Sequence, residues 1–155
     1  MFRSRKRSQI TFEVLPLWEA VHQLNQNPKF VNSDRILIEN ESREWVLQAI
    51  ISHLPKNCIN KFTFDEMLMV VTKYRKLGEE CRAKRLIILE HARGMVTPRC
   101  FYAGKVSSPC TNEVDLDRIK PGKRGGKYTI DNTQLSCSGH NRARGCKEVV
   151  KYWSQ

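Results

Sequence analysis

No apolar run in this 155-residue chain approaches the roughly 20 residues that a membrane-spanning helix needs. The N-terminus, Met1-Phe2-Arg3-Ser4-Arg5-Lys6-Arg7-Ser8, is basic, but no apolar h-region follows it before Glu13. A secretory signal is therefore not expected, and an intracellular location is. Acidic residues are scarce: 16 Asp and Glu stand against 27 Lys and Arg, giving a formal net charge of +11. A surface so basic attracts phosphate backbones through counterion release, without sequence preference. A membrane surface or an acidic protein partner would also answer to the charge. The hydrophobic content of 40% is that of a globular chain and argues against disorder.

Six cysteines stand at positions 58, 81, 100, 110, 137 and 146, four of them from position 100 onward. Without a secretory signal, clustered cysteines near a histidine point to metal ligation rather than disulfides.

Residues 1–9 read as a basic arm that either follows a nucleic-acid backbone or is a solvated terminus. Leu17, Ala20, Val21 and Leu24 fall at helical spacing. Arg35-Ile36-Leu37-Ile38-Glu39 is short and β-like, with a helical turn as the alternative. Ser42 can cap a helix carrying Val46, Leu47, Ile50, Ile51 and Leu54, which Pro55 stops. Thr63 and Glu66 have capping-box spacing ahead of Leu68, Val71, Tyr74 and Leu77. A further helix from about Glu79 to Arg93 is expected to bury Leu86, Ile87 and Leu89, and nothing in these first 95 residues repeats. After Pro98 the composition shifts to Gly, Pro, Asn, Ser and Cys, which suits a motif shaped by turns and ligands. The boundary is placed between residues 94 and 99, separating a helical region (1–97) from a small module (98–155). The fold class expected is α+β.

The informative stretch starts at Cys100-Phe101-Tyr102. It continues through Glu113-Val114-Asp115-Leu116-Asp117-Arg118-Ile119-Lys120-Pro121-Gly122 and the Gly125-Gly126 pair to Asn132. It closes with Cys137-Ser138-Gly139-His140-Asn141-Arg142. Val114, Leu116 and Ile119 suggest a short strand turning at Pro121-Gly122, and a helix can run from about Ser138 toward Trp153. This order of landmarks, over about 50 residues, resembles the HNH nuclease family, whose ββα-metal module cuts DNA with one divalent cation.

The resemblance implies that Asp117 and Asn141 ligate a catalytic Mg²⁺ or Mn²⁺. Asn132 would tie the loop to the strand through backbone hydrogen bonds. Cys137 and His140 would form the second half of a structural zinc knuckle, completed by Cys100 and by Cys110, or less favourably Cys146. A hard cation takes oxygen ligands and keeps several waters, which suits one carboxylate and one amide. Lys120, Lys123, Arg124, Lys127, Arg142, Arg144 and Lys147 surround these positions and are expected to contact phosphates.

Two departures from the family pattern matter. Arg118 stands where most members carry the histidine that serves as general base. A guanidinium with a pKa above about 12 cannot deprotonate water, but it can grip a phosphate in a bidentate fashion. Candidates for the base are His91, Tyr128, Tyr152 and Asp115. The second departure is Ala103, which stands where the first knuckle would place its second cysteine.

The expected function is metal-dependent hydrolysis of DNA phosphodiester bonds. The alternative is a catalytically silent, zinc-stabilised module that binds nucleic acid. In a third reading the helical half docks a protein partner, through an exposed Leu/Ile patch on residues 84–91. A homodimer would allow symmetric cutting of both strands, but no residue points to one.

Overall fold

The computed structural model describes residues 10–26 and 43–154. The basic arm, the Arg35–Glu39 stretch and Ser42 lie outside them. The protein is a mixed α/β chain, about half helical, with one two-stranded sheet among the described residues. Contacts divide it into two compact units, Val14–Arg82 and a second formed from Ala83 onward with the residues before Val14. The division falls inside a helix, ahead of the change in composition at 94–99.

The first unit is helical. Helix α1 (Leu15–Leu24) has Pro16 in its first turn, where the missing N–H costs nothing, and buries Leu17, Trp18, Ala20, Val21 and Leu24. Helix α2 (Arg43–His53) turns Val46 and Ile50 inward, and Leu54 is buried just before Pro55. Helix α3 (Phe64–Arg75) opens with a capping box: Thr63 accepts from the Glu66 amide, and Glu66 accepts from the Thr63 amide. Its buried side chains are Met67, Val70, Val71 and Tyr74. The Tyr74 hydroxyl bonds His22 at 2.8 Å, joining α3 to α1.

Helix α4 (Glu79–Arg93) carries the division between the units. It buries Ile88 and Leu89, whereas Leu86, expected in the core, is 40% exposed. In a run of four apolar residues (Leu86 to Leu89) spacing alone does not select the buried pair. The exposed Leu/Ile patch considered for residues 84–91 reduces to Leu86.

The second unit is built on an antiparallel hairpin. Strand β1 (Val114–Arg118) pairs with β2 (Thr133–Cys137) so that Asp115 faces Ser136, Asp117 faces Gln134 and Arg118 faces Thr133. Ile119 lies beyond the strand and is exposed, although its amide still donates to Asn132 O at 2.8 Å. On the outer edge of β1, the Val114 amide donates to Ile10 O at 2.7 Å.

The connecting loop is fixed by glycine geometry and one asparagine. Gly125 has φ +84°, a left-handed conformation that glycine adopts freely. Gly126 is needed for a different reason: a Cβ there would lie 1.7 Å from the Lys120 carbonyl oxygen. Asn132 accepts from the Lys120 amide at 2.9 Å and donates to the Lys120 and Lys127 carbonyls at 3.1 and 2.9 Å.

Helix α5 (Ser138–Arg144) follows β2 directly and packs on both strands. The helix expected to run on to Trp153 instead stops at Gly145, φ +55°, and resumes as α6 (Val149–Trp153). Two glycines leave this stretch little intrinsic helicity, and the break lets α6 fold back. Its Tyr152 meets Tyr102 edge-on at 5.0 Å, and Trp153 stacks on Phe101 at 5.6 Å. Among the described residues no helix is long and apolar enough to cross a membrane.

Candidate metal centre and hairpin–helix site

Four side chains from three segments converge where β2 meets α5. The Sγ atoms of Cys100, Cys110 and Cys137 and one ring nitrogen of His140 lie within 4.8 Å of one another. Cys100 Sγ and Cys110 Sγ are each 3.6 Å from His140 Nδ1. Zinc bonds of about 2.3 Å to sulfur and about 2.0–2.1 Å to nitrogen make the sulfur–nitrogen edge of a tetrahedron about 3.6 Å. The donor set and its spacing therefore fit a tetrahedral metal such as zinc.

The histidine is oriented for that role. Its Nε2 lies 3.0 Å from the Ser108 carbonyl oxygen, an acceptor only, so Nε2 carries the proton and Nδ1 turns its lone pair to the thiols. Burial raises the Cys137 thiol, but the backbone amides of His140 and Thr111 outweigh this and bring it below its ordinary value. Cys110 goes the other way: burial and the neighbouring Cys100 push it up to about 12. A cation would have to displace its proton. Cys146, the less favoured alternative ligand, is exposed and outside the cluster. An apolar shell of Tyr102, Tyr152, Phe101 and Phe12 packs against the buried Cys100 and Cys137, while Cys110 is exposed.

Next to this centre, two polar rungs link the hairpin to α5. Asp115 and Asp117, two apart on a strand, share one face, and Asn141 and Arg144, three apart on a helix, share another. The upper rung is Asn141 Nδ2 donating to Asp115 Oδ2 at 2.9 Å. The lower is a buried ion pair between Arg144 and Asp117, each 1% exposed. The other Asp117 oxygen accepts from the Tyr102 hydroxyl at 2.5 Å and from Gln134 at 2.9 Å. Arg144 also donates to the carbonyls of Arg118, Ile119 and Lys147 at 2.5, 2.6 and 2.8 Å.

These contacts assign several residues differently from the sequence expectation. Asp117 does not meet Asn141; both its oxygens are occupied, one by a guanidinium. A divalent cation beside that guanidinium would be repelled, so Asp117 does not fit the expected Mg²⁺ site as it stands. Asp115, half-buried beside Asn141, also has both oxygens engaged, but by neutral donors, the Leu116 amide and the Asn141 side chain. Arg144, expected on the phosphate-facing surface, is instead an internal clasp that holds the end of β1 to α5. Tyr102 escaped the sequence reading, because only the fold brings it to Asp117, 15 residues away. Arg144 was more accessible to inference, since the two face pairings follow from strand and helix periodicity.

The remaining candidates fall into three groups. Lys120, Lys123, Arg124, Lys127, Arg142 and Lys147 are exposed. Arg124 is 3.6 Å from Glu148 in a solvent-screened pair. His91 reaches the hairpin from α4, its Nε2 2.9 Å from Thr133 Oγ1. The Thr133 hydroxyl gives its proton to Thr129 O, so His91 Nε2 is the donor. Burial lowers the His91 pKa. Tyr152 is buried, and burial raises its pKa, which removes it as a base near neutrality. Tyr128 is exposed, and two cations lie over its ring.

No protein-family model, curated protein or solved structure matches this chain.

Proposed function

We propose that this chain is a metal-dependent nuclease of the HNH type, in which a zinc-held ββα module hydrolyses phosphodiester bonds in DNA. The observation that carries the reading is the arrangement itself. A two-stranded hairpin runs straight into a helix, a Cys₃His cluster sits at their junction, and acidic strand positions face polar helix positions. The sequence landmarks that resemble the family, Asp117-Arg118-Ile119, Gly125-Gly126, Asn132 and Cys137-x-x-His140-Asn141, all fall within it.

Zinc in the Cys100, Cys110, Cys137 and His140 cluster is structural in this proposal, because all four positions of a tetrahedron are taken by protein. A catalytic Mg²⁺ would be held by Asp115 and Asn141. Turning the Asn141 amide presents its oxygen instead of Nδ2, an exchange of nearly isosteric groups. Such an ion, when bound, supplies Lewis-acid stabilisation to a phosphoryl oxygen. The exposed lysines of the hairpin loop attract the backbone, and Arg118 cannot act as a base.

A second reading, the catalytically silent nucleic-acid-binding module, is favoured by the closed Asp117–Arg144 pair. Plasmid nicking by zinc-loaded protein, with and without added Mg²⁺ or Mn²⁺, separates the two. Metal-dependent nicking that disappears in Asp115→Asn and Asn141→Ala, with zinc content and melting temperature retained, supports the nuclease. Nicking that survives both changes rejects the assigned ligands. Salt-sensitive binding without nicking in the wild type rejects cleavage and leaves the silent module.

A further inference from the structure

Arg118 is the half-buried cation whose surroundings the cleavage reading does not explain. Its backbone is immobilised, because Arg144 takes the carbonyls of both Arg118 and Ile119. Its guanidinium carbon lies 4.4 Å from the centroid of the Tyr128 ring. The Nζ of Lys84, on α4, lies 4.3 Å from the same centroid. The guanidinium is also seated on Gly122: a Cβ added there would come within 2.7 Å of Arg118 Nη1 and 3.0 Å of Cζ and Nη2. Among the described residues no carboxylate pairs with Arg118, and no protein acceptor takes its N–H groups.

The negative face of the ring holds the guanidinium in place without using its N–H donors, which an anion would take up. A guanidinium is a planar fork that donates two parallel hydrogen bonds to a phosphate, and holding it on an aromatic face and a glycine removes rotamer freedom it would otherwise lose on binding. Exposed Lys120, Lys123 and Lys127 on the same loop draw a polyanion rather than an isolated ion.

We propose that Arg118, stacked on Tyr128 and seated on Gly122, is a binding site for a backbone phosphodiester of nucleic acid. Tyr128 and Gly122 are its positioning residues. The proposal rests on the nucleic-acid part of the reading above and is independent of cleavage.

Gly122 makes the test clean. Its φ lies outside the left-handed range, and an alanine there would meet only the far end of the Arg118 side chain. Gly122→Ala should therefore displace the guanidinium and leave the fold intact. Fluorescence anisotropy of a labelled DNA duplex, titrated with full-length zinc-loaded protein over a series of NaCl concentrations without added Mg²⁺, reads the effect. Arg118→Met should weaken binding on the order of tenfold and reduce the salt slope by about 1. Gly122→Ala should reproduce both changes. The double variant should be no weaker than either single one, because both remove the same contact. Tyr128→Phe should bind as wild type and Tyr128→Leu should not.

Wild-type affinity in Gly122→Ala, with melting temperature unchanged, would overturn the proposal, and so would losses that add in the double variant. A wild type that does not bind the duplex at all would overturn the nucleic-acid reading and this inference together. Inorganic phosphate should compete no better than chloride at matched ionic strength. Saturable competition by phosphate that depends on Arg118 would reassign the site to a small phosphate ligand.

Discussion

Asp117 and Arg144 bury opposite charges, and such a pair is weak evidence of stability in itself, because desolvation offsets most of the attraction. Removing one partner is another matter, since it strands the other charge in the interior. Asp117→Ala and Arg144→Ala should each cost about 3–5 kcal/mol, read as a fall in the denaturation midpoint. Combining Asp117→Leu with Arg144→Leu replaces the pair by apolar groups and should recover part of that loss. A midpoint unchanged in Arg144→Ala would mean the clasp carries no weight. For the same reason, loss of activity in Asp117→Ala would not identify a metal ligand. His91 gives a pH dependence at this scale. Its folded pKa is depressed by burial, so the neutral ring is favoured in the fold. Its contribution is fully present above the unfolded value of about 6.5 and is lost as pH falls through the lower folded value. The wild-type melting temperature should drop on acidification through that window, and His91→Gln, which keeps a donor for Thr133, should drop less. Equal drops would remove His91 from the account.

At the scale of the elements, two neighbouring glycines predict opposite outcomes. Gly126→Ala sets a methyl against the Lys120 backbone and should destabilise by about 1–3 kcal/mol. Gly122→Ala should leave the melting temperature where it is, so thermal melts of the pair check the loop directly. Much of the fold was legible here. Helix α1 followed from apolar spacing, α3 from the Thr63/Glu66 box, and β1 from the alternation of Val114 and Leu116. Thr63→Ala should cost about 1 kcal/mol, as for N-caps generally. Three features were hidden for physical reasons. Periodicity does not choose the buried face within four consecutive apolar residues, so Ile88 was missed. Helical spacing from Ser138 toward Trp153 does not say whether Gly145 is carried within the helix or, as its φ of +55° shows, ends it. The ion pair between Asp117 and Arg144 is a contact between elements that no local pattern encodes. By contrast, the Cys₃His set was legible in composition, and the fold chose Cys110 over Cys146.

For the whole molecule, the cluster and the two units suggest a division of labour. The unit from Val14 to Arg82 has its own apolar core, while in the second unit Cys100, Tyr102, Cys137 and Tyr152 form a small core built on the metal cluster itself. A core that includes the ligands depends on its metal, and metal binding energy becomes folding energy. Stripping zinc with a chelator should therefore abolish binding to DNA while leaving most of the far-ultraviolet helical signal, which comes largely from α1 to α4.

Native mass spectrometry of protein purified with zinc present tests the centre most directly, because the module is proposed to be built around it. One zinc ion per chain is expected, lost in Cys110→Ser and His140→Ala and retained in Cys146→Ser. A metal-free wild type, or a zinc ion that survives loss of Cys110 but not of Cys146, would contradict it.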